Sequence, residues 1–484
     1  MRLFILFILT FFTVFQSTAQ TKPLTKQTFL EDYAIFQTIF EKANAGLYKY
    51  HTKKLIDSTF SANKKLINDK TTYRDFYNIV WNVIDFTGSS HNSLSYPDSL
   101  DQTLSKQRIF FPVPLKYLNG KLYSMLATKE MPLGSEILFV NRISAEKFSR
   151  SISKYSSTDG HNTTGKYAAI ATDWLPFYIY LAYGEQDTYT IEFKKEHTVK
   201  TIHLQAVDYK TTIVNFKNRF VPTYEKKKEH EYSFTYLNQK TALLTIHTFA
   251  LGGPKSDGHK KYAAFLDAVF TTLNNKKIEN LIVDVRQNGG GNDPNDLLLY
   301  SYLTQRNFKE NLSAFTLFNT VPLPHYFAEE EQNEIRDLEK ELAEEHNIFK
   351  NGSYYQNPAF NTVWQPNPHA FQGNIYLLIS PFVASAGSLF ASMVKSDEKS
   401  IVIGQESLGG YYGHTGHTPV TYKLPNTALL LTFSIVDLEQ DVQQIADQKY
   451  GDGVQPDYKI EPTIEAYLNN KDLVVDFALQ LTEK

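Results

Sequence analysis

Hydrophobic positions near the start of the chain recur at helical spacing. Phe29, Tyr33, Phe36 and Ile39-Phe40 share one helical face, as do Phe76, Ile79-Val80 and Ile84, and Pro and Gly are nearly absent between 27 and 85. The pattern predicts a helical N-terminal cap over 25–100. From 108 to 207 short alternating runs take over, such as Lys121-Leu122-Tyr123-Ser124 and Tyr189-Thr190-Ile191-Glu192-Phe193, and predict a small β-rich module. Residues 208–230 read as a linker whose charged end, 225–230, is expected to be a solvated loop. From 230 to 484 apolar strand patterns alternate with helical ones. Strands are predicted at 243–246, 281–285 and 375–379, with helices at 262–273, 297–303 and around 389–394. That alternation predicts an α/β domain with a mixed, largely parallel β-sheet. The acidic stretch 329–345 reads as an inserted solvent-facing helix.

Length and composition sharpen this picture. A chain of 484 residues predicts two or three domains, and 42% hydrophobic with 21% charged residues is a globular balance. The net charge is −3 and no basic block stands out, which argues against nucleic acid as a partner. Arg2, an apolar run over 3–15 broken only by Thr10 and Thr13, and small residues at Ser17-Thr18-Ala19 predict a signal peptide over 1–19. The run is short for a membrane span, which needs about 20 residues, so no membrane span is expected after signal removal and a periplasmic or extracellular location is. The chain has no cysteine, which excludes disulfides and a thiol nucleophile.

Candidate chemistry lies in five turns. Asp284-Val285-Arg286-Gln287-Asn288 runs into Gly289-Gly290-Gly291, after which Asp293 suits a helix N-cap and Pro294 the first helical position. Consecutive glycines before a helix expose N–H groups to an anionic oxygen, although a bare strand-to-helix turn has the same pattern. Ser385, in Ala384-Ser385-Ala386-Gly387, follows another predicted strand. It reads either as a helix cap or as a nucleophile beside the Ala386 N–H. His91, in Ser89-Ser90-His91-Asn92, is a lone histidine on a polar turn and by itself reads as a surface residue. Gly409-Gly410 through His414 and His417 reads as a flexible substrate loop, two histidines on a glycine-rich loop being weak support for a metal. Gly451-Asp452-Gly453-Val454-Gln455-Pro456-Asp457 is a turn into the last strand.

Asp284-x-Arg286-x-Asn288-Gly289-Gly290, Ser385-Ala386 and Gly453-Val454-x-Pro456-Asp457, in that order, resemble the tail-specific (C-terminal processing) serine peptidase superfamily. Gly410 stands where the processing branch has its lysine base, and Ser90-His91 stands where the tricorn-like branch has its histidine, so the resemblance is to the tricorn-like Ser-His branch. It implies Ser385 as nucleophile, His91 as general base, Ser90 as its support and Asp452 as its acidic orienter. It further implies an oxyanion hole from Gly289, Gly290 and Ala386, a substrate loop holding Gly410 and His414, no metal and no cofactor. Pro132-Leu133-Gly134 leading into the apolar run 137–140 and Asn141 resembles the core of PDZ domains, which implies a peptide-docking PDZ-like module over 108–207. The expected partner is a peptide or protein substrate. The alternative is a non-catalytic protein binding peptides or apolar ligands on the same fold.

Overall fold

The computed structural model describes residues 23–226, 229–328 and 334–483, so the segment 1–19 lies outside the described residues. Three threonines start the N-terminal helices. Thr25, Thr52 and Thr72 cap Lys26–Ala43, Lys53–Lys64 and Tyr73–Thr87, each hydroxyl accepting a first-turn N–H. Their apolar faces bury Phe29, Tyr33, Phe36, Phe40, Phe76 and Val80, but they do not form a core of their own. Phe40 meets Phe433 edge-on at 5.3 Å, and the same core takes in Leu431 and Ile435 from the late strand Leu430–Gln440.

This shared core carries the N-terminal segment to the site. Tyr73–Thr87 ends at Gly88 in the left-handed region, φ 69°, and the chain turns through His91 into the short strand Ser93–Ser95. That strand pairs antiparallel with Leu430–Gln440, Leu94 opposite Leu431. It edges a six-stranded sheet that also holds Asn311–Thr316, Ile348–Lys350, Ser353–Tyr355 and Thr415–Lys423. The sequence pattern did not anticipate this sheet, because its strands come from distant segments and three of them are only three residues long.

A second six-stranded sheet runs in the order Tyr458–Lys459, Ser400–Gly404, Asn374–Ile379, Asn280–Asp284, Thr241–Ile246, Tyr232–Tyr236. All its pairings are parallel except the last. Asp284 stands opposite Leu378 in register, so the turns after both strands emerge at one edge, where sites gather in parallel sheets. The expected mixed, largely parallel sheet is present.

The third six-stranded sheet is antiparallel and built from Leu115–Leu118, Lys121–Ser124, Glu136–Val140, Ile143–Ser144, Thr188–Lys195 and Thr198–Gln205. Helices Ala145–Ser153 and Leu175–Tyr183 contribute Phe148, Ile152, Leu175 and Ile179 to its core. Leu175–Tyr183 is apolar on nearly every side, so helical periodicity did not mark it.

Two local expectations change. The stretch read as a linker contains the helix Tyr209–Lys217, capped by Asp208, and Glu225 is not a solvated charge. Glu225 pairs with Lys116 at 2.9 Å and accepts the Tyr467 hydroxyl at 3.0 Å. The helix after the glycines begins at Asn295, with Pro294 in the cap position. Asp293 does not cap it, because its carboxylate faces His417 instead.

Candidate active site

The strand Asn280–Asp284 ends in a carboxylate that anchors the turn beyond it. Asp284 binds the guanidinium of Arg286 at 2.7 Å, and Arg286 also binds Asp472 at 2.8 Å, the cap of the helix Leu473–Thr482. Burial pushes the Asp284 carboxyl up, but Arg286 outweighs it and holds the group below its usual range. The Asp-x-Arg pair thus closes the strand end and leaves 287–291 to turn toward the neighbouring strand. Ser380 Oγ donates to the Arg286 carbonyl at 2.5 Å and Ala384 N to the Asn288 carbonyl at 3.3 Å, which joins the two turns.

Ser385 sits between Asn374–Ile379 and the helix Ala386–Ser396, with φ 51° and ψ −133°. A non-glycine residue there costs roughly 1–3 kcal/mol and persists only where its surroundings impose it. Its side chain makes no cap hydrogen bond, so the helix-cap reading does not hold. Instead Ser385 Oγ lies 3.4 Å from His91 Nε2, across 294 residues of sequence. The other ring nitrogen of His91, Nδ1, lies 3.3 Å from Ser90 Oγ. Both His91 and Ser385 remain partly exposed.

The N–H groups of Ala386, which follows Ser385, and of Gly289, one residue before the Gly290 that approaches Ser385, have no hydrogen-bond partner among the described residues. Gly290 differs from expectation: its N–H donates to Asn288 Oδ1 at 2.9 Å, so it is already committed. Its importance is steric. A Cβ on Gly290 would lie 2.7 Å from Ser385 Cβ and 3.1 Å from the Ala386 nitrogen, and φ is 107°, which only glycine adopts freely.

The expected substrate loop is a buried wall. Tyr411 and His414 are fully enclosed, with the Tyr411 hydroxyl donating to the Gln443 carbonyl at 3.0 Å. His414 stacks on His91 with centroids 5.1 Å apart. Burial, with His91, His417 and Lys49 nearby, holds the His414 pKa well below the usual imidazole value, so it packs as a neutral ring. Gly410 donates its N–H to Asp159 Oδ2 at 3.0 Å.

His417 points to a different set of groups. Its Nδ1 lies 3.5 Å from Asp293 and its Nε2 3.2 Å from Glu310. Burial opposes a charge on this ring, but the Glu310 hydrogen bond and the two carboxylates prevail and raise its pKa to about 9. The three side chains lie close enough to converge on one ion, yet each ring nitrogen is turned to a separate carboxylate, the geometry of an ion-paired imidazolium.

Asp452 does not meet His91. It lies in the turn beside Tyr411, its carbonyl accepting the Tyr411 N–H at 3.1 Å and its carboxylate acting on Glu406. The carboxylate that acts on His91 is Asp159, fully buried, whose Oδ1 accepts the Ser90 N–H at 2.7 Å. Sequence reasoning missed Asp159, because the turn 156–162 carries no motif and its neighbours are brought in by tertiary structure. Burial is the largest influence on the His91 ring and lowers its pKa. Asp159 and the Thr415 backbone raise it, while His417 lowers it further.

Residues 240–460 match the model of peptidase family S41. The chain superposes on a crystal structure of mature CPAF with a TM-score of 0.61 at 12% identity, covering 95% of this chain and 97% of that one. A structure of mature CPAF complexed with lactacystin gives a TM-score of 0.61 at 13% identity, covering 95% and 98%. At such identity these likenesses concern the fold. No curated protein sequence matches the chain significantly. The region 240–460, which holds the Asp-x-Arg-x-Asn-Gly-Gly turn and the strained Ser385, is thus a serine-type peptidase domain of the tail-specific S41 superfamily.

Proposed function

We propose that the chain is an exported peptidase that hydrolyses peptide bonds by acyl transfer to Ser385, with His91 as general base. The observation that carries this reading is the approach of His91 Nε2 to Ser385 Oγ, 3.4 Å, in the range of the long catalytic hydrogen bonds common in substrate-free enzymes. With Nδ1 protonated toward the Ser90 oxygen, Nε2 presents its lone pair to the Ser385 hydroxyl. His91 takes the hydroxyl proton as Oγ attacks the substrate carbonyl carbon. The unpartnered N–H groups of Ala386 and Gly289 suit the negative charge that develops on the carbonyl oxygen. His91 then gives the proton to the leaving amine, and water repeats the sequence to release the acyl group. The low pKa of His91 favours the neutral, proton-accepting ring at neutral pH.

The module over 108–207 is read as a PDZ-like docking element. A cleft of about 220 Å³ lies between its hairpin, residues 116–120, and the wall Ser380-Pro381-Phe382, which is continuous with the turn carrying Ser385. Its lining does not include Ser385 or His91, which suits a docking surface rather than a reaction chamber. A non-catalytic peptide binder on this fold would have no use for the backbone strain at Ser385.

Reaction with a fluorophosphonate, followed by peptide mass spectrometry, tests the assignment of the nucleophile. One adduct on Ser385, absent in Ser385→Ala, is expected. A folded protein that does not react, or that reacts at another residue, overturns it.

A further inference from the structure

Residues 157–162, between the helices Ala145–Ser153 and Thr164–Ala168, form a strap against both loops that frame the catalytic pair. On one side it grips the turn before His91. Ser157 Oγ donates to the Ser90 carbonyl at 3.2 Å, Gly160 N to the Gly88 carbonyl at 2.8 Å, and Asp159 Oδ1 accepts the Ser90 N–H at 2.7 Å. On the other side it grips the S41 domain. Asp159 Oδ2 accepts the Gly410 N–H at 3.0 Å, Asn162 Nδ2 donates to the Ser407 and Leu408 carbonyls, and His161 N donates to the Gly451 carbonyl at 2.7 Å. The approach is close: Gly160 has φ 56°, and a Cβ there would lie 2.1 Å from the Gly451 carbonyl oxygen.

We propose that Asp159 is a positioning residue, which holds His91 against Ser385 by bridging the Ser90 and Gly410 N–H groups with its two carboxylate oxygens. The proposal rests on the Ser385–His91 reading and deepens it. Ser90 and Gly410 belong to segments far apart in the chain, and the buried carboxylate is bonded to both. Charge-assisted hydrogen bonds of this type are stronger than neutral ones. An asparagine can accept from one N–H but presents its amide NH₂ to the other, so one side of the bridge is lost. The module that supplies Asp159 is the one read as docking substrate, so the strap also links docking to assembly of the pair.

The charges around His91 make this distinguishable from a purely structural role. Asp159 raises the pKa of the ring, the His417 imidazolium lowers it, His414 stacks on it as a neutral ring, and Lys49 lies beyond His414. Asp159→Asn in the full chain, assayed with a p-nitrophenyl ester over a pH series, is expected to lower kcat by roughly 10–100-fold, the scale of a misplaced base, and to change KM by less than about two-fold. The acid limb of kcat/KM is expected to move to lower pH. In a His91→Ala background the same change should cost less than about three-fold, because the residue it positions is gone. A wild-type kcat and acid limb, or an equal loss with and without His91, overturns the proposal. If His91→Ala alone keeps wild-type turnover, the Ser-His reading fails first, and that is a separate result. If Asp159→Asn does not fold, Asp159→Glu, which keeps the charge, carries the test. A lowered kcat with an unchanged acid limb supports positioning, and a wild-type kcat contradicts it.

Discussion

Ser385 is the residue at which local and global preferences disagree. Its left-handed backbone costs energy, and its hydroxyl declines the cap bond that serine commonly makes at a helix start. What it gains is a place 3.4 Å from His91 Nε2. On the Ser-His reading, the charges around His91 set the pH at which that contact works. Burial holds the ring below its ordinary pKa, about 6.5, so a general base there is ready at neutral pH. Activity is therefore expected to rise with pH along a limb centred below 6.5 and then level off. His417, with a pKa raised to about 9, is cationic through this range and holds the His91 pKa down. Replacing it, as His417→Gln, removes the repulsion and should move the limb upward, whereas Asp159→Asn moves it downward. A pH–rate series on both variants checks the opposite signs; shifts in the same direction would show that His91 is not the titrating group.

At the scale of elements, the site consists of two strand-to-helix turns held edge to edge. Gly290 is where they touch. Gly290→Ala places a methyl group against Ser385 Cβ and forces alanine to φ 107°. Ester turnover should fall by at least the ~10²-fold typical of losing an oxyanion donor, since the Ser385 turn and the Ala386 N–H must both shift. Circular dichroism should show the fold retained; near-normal turnover would mean that the turns can separate without harm. Arg286 has a different role, neutralising Asp284 and Asp472 beneath the turn. Arg286→Ala leaves both carboxylates facing one another, and thermal melts should show a loss of about 3–5 kcal/mol, as when one member of a buried pair is removed. Because Asp284 is held below its ordinary pKa, the stability it contributes is present above about pH 4 and is lost as pH falls through the lower, folded value. These turns were legible in the sequence, because a buried strand followed by small residues is a contiguous pattern. The helix start after them was misread by one position, since Asp293 serves His417 rather than the helix. Asp159 was not legible: its partners lie 69 and 251 residues away, and an aspartate in a polar turn gives no local sign of that role. The same blindness made the wall holding His414 look like a flexible loop, because glycines and aromatics in sequence do not reveal what packs over them.

Across the molecule, the proposed catalytic pair is split between chain segments that pack in different cores. His91 lies in the turn before a strand paired with Leu430–Gln440, and Ser385 in the turn after a strand of the parallel sheet. On the Ser-His reading the N-terminal helices are part of the catalytic structure; their apolar face, which reads as a separate cap, is covered by strands from the far end of the chain. Deleting residues 108–207 should alter peptide preference, but by the bridge through Asp159 it should also depress ester turnover, a coupling that a detachable docking domain would not show. The export reading is tested by sequencing the N-terminus of the secreted protein, which should begin after Ala19. Whether Ser385 and His91 act as one unit is decided by the kinetics of Ser385→Ala, His91→Ala and the double variant. Each single substitution should lower turnover by orders of magnitude, and the double variant should be little worse than either. Near-normal turnover in His91→Ala, or losses that multiply in the double variant, would contradict it.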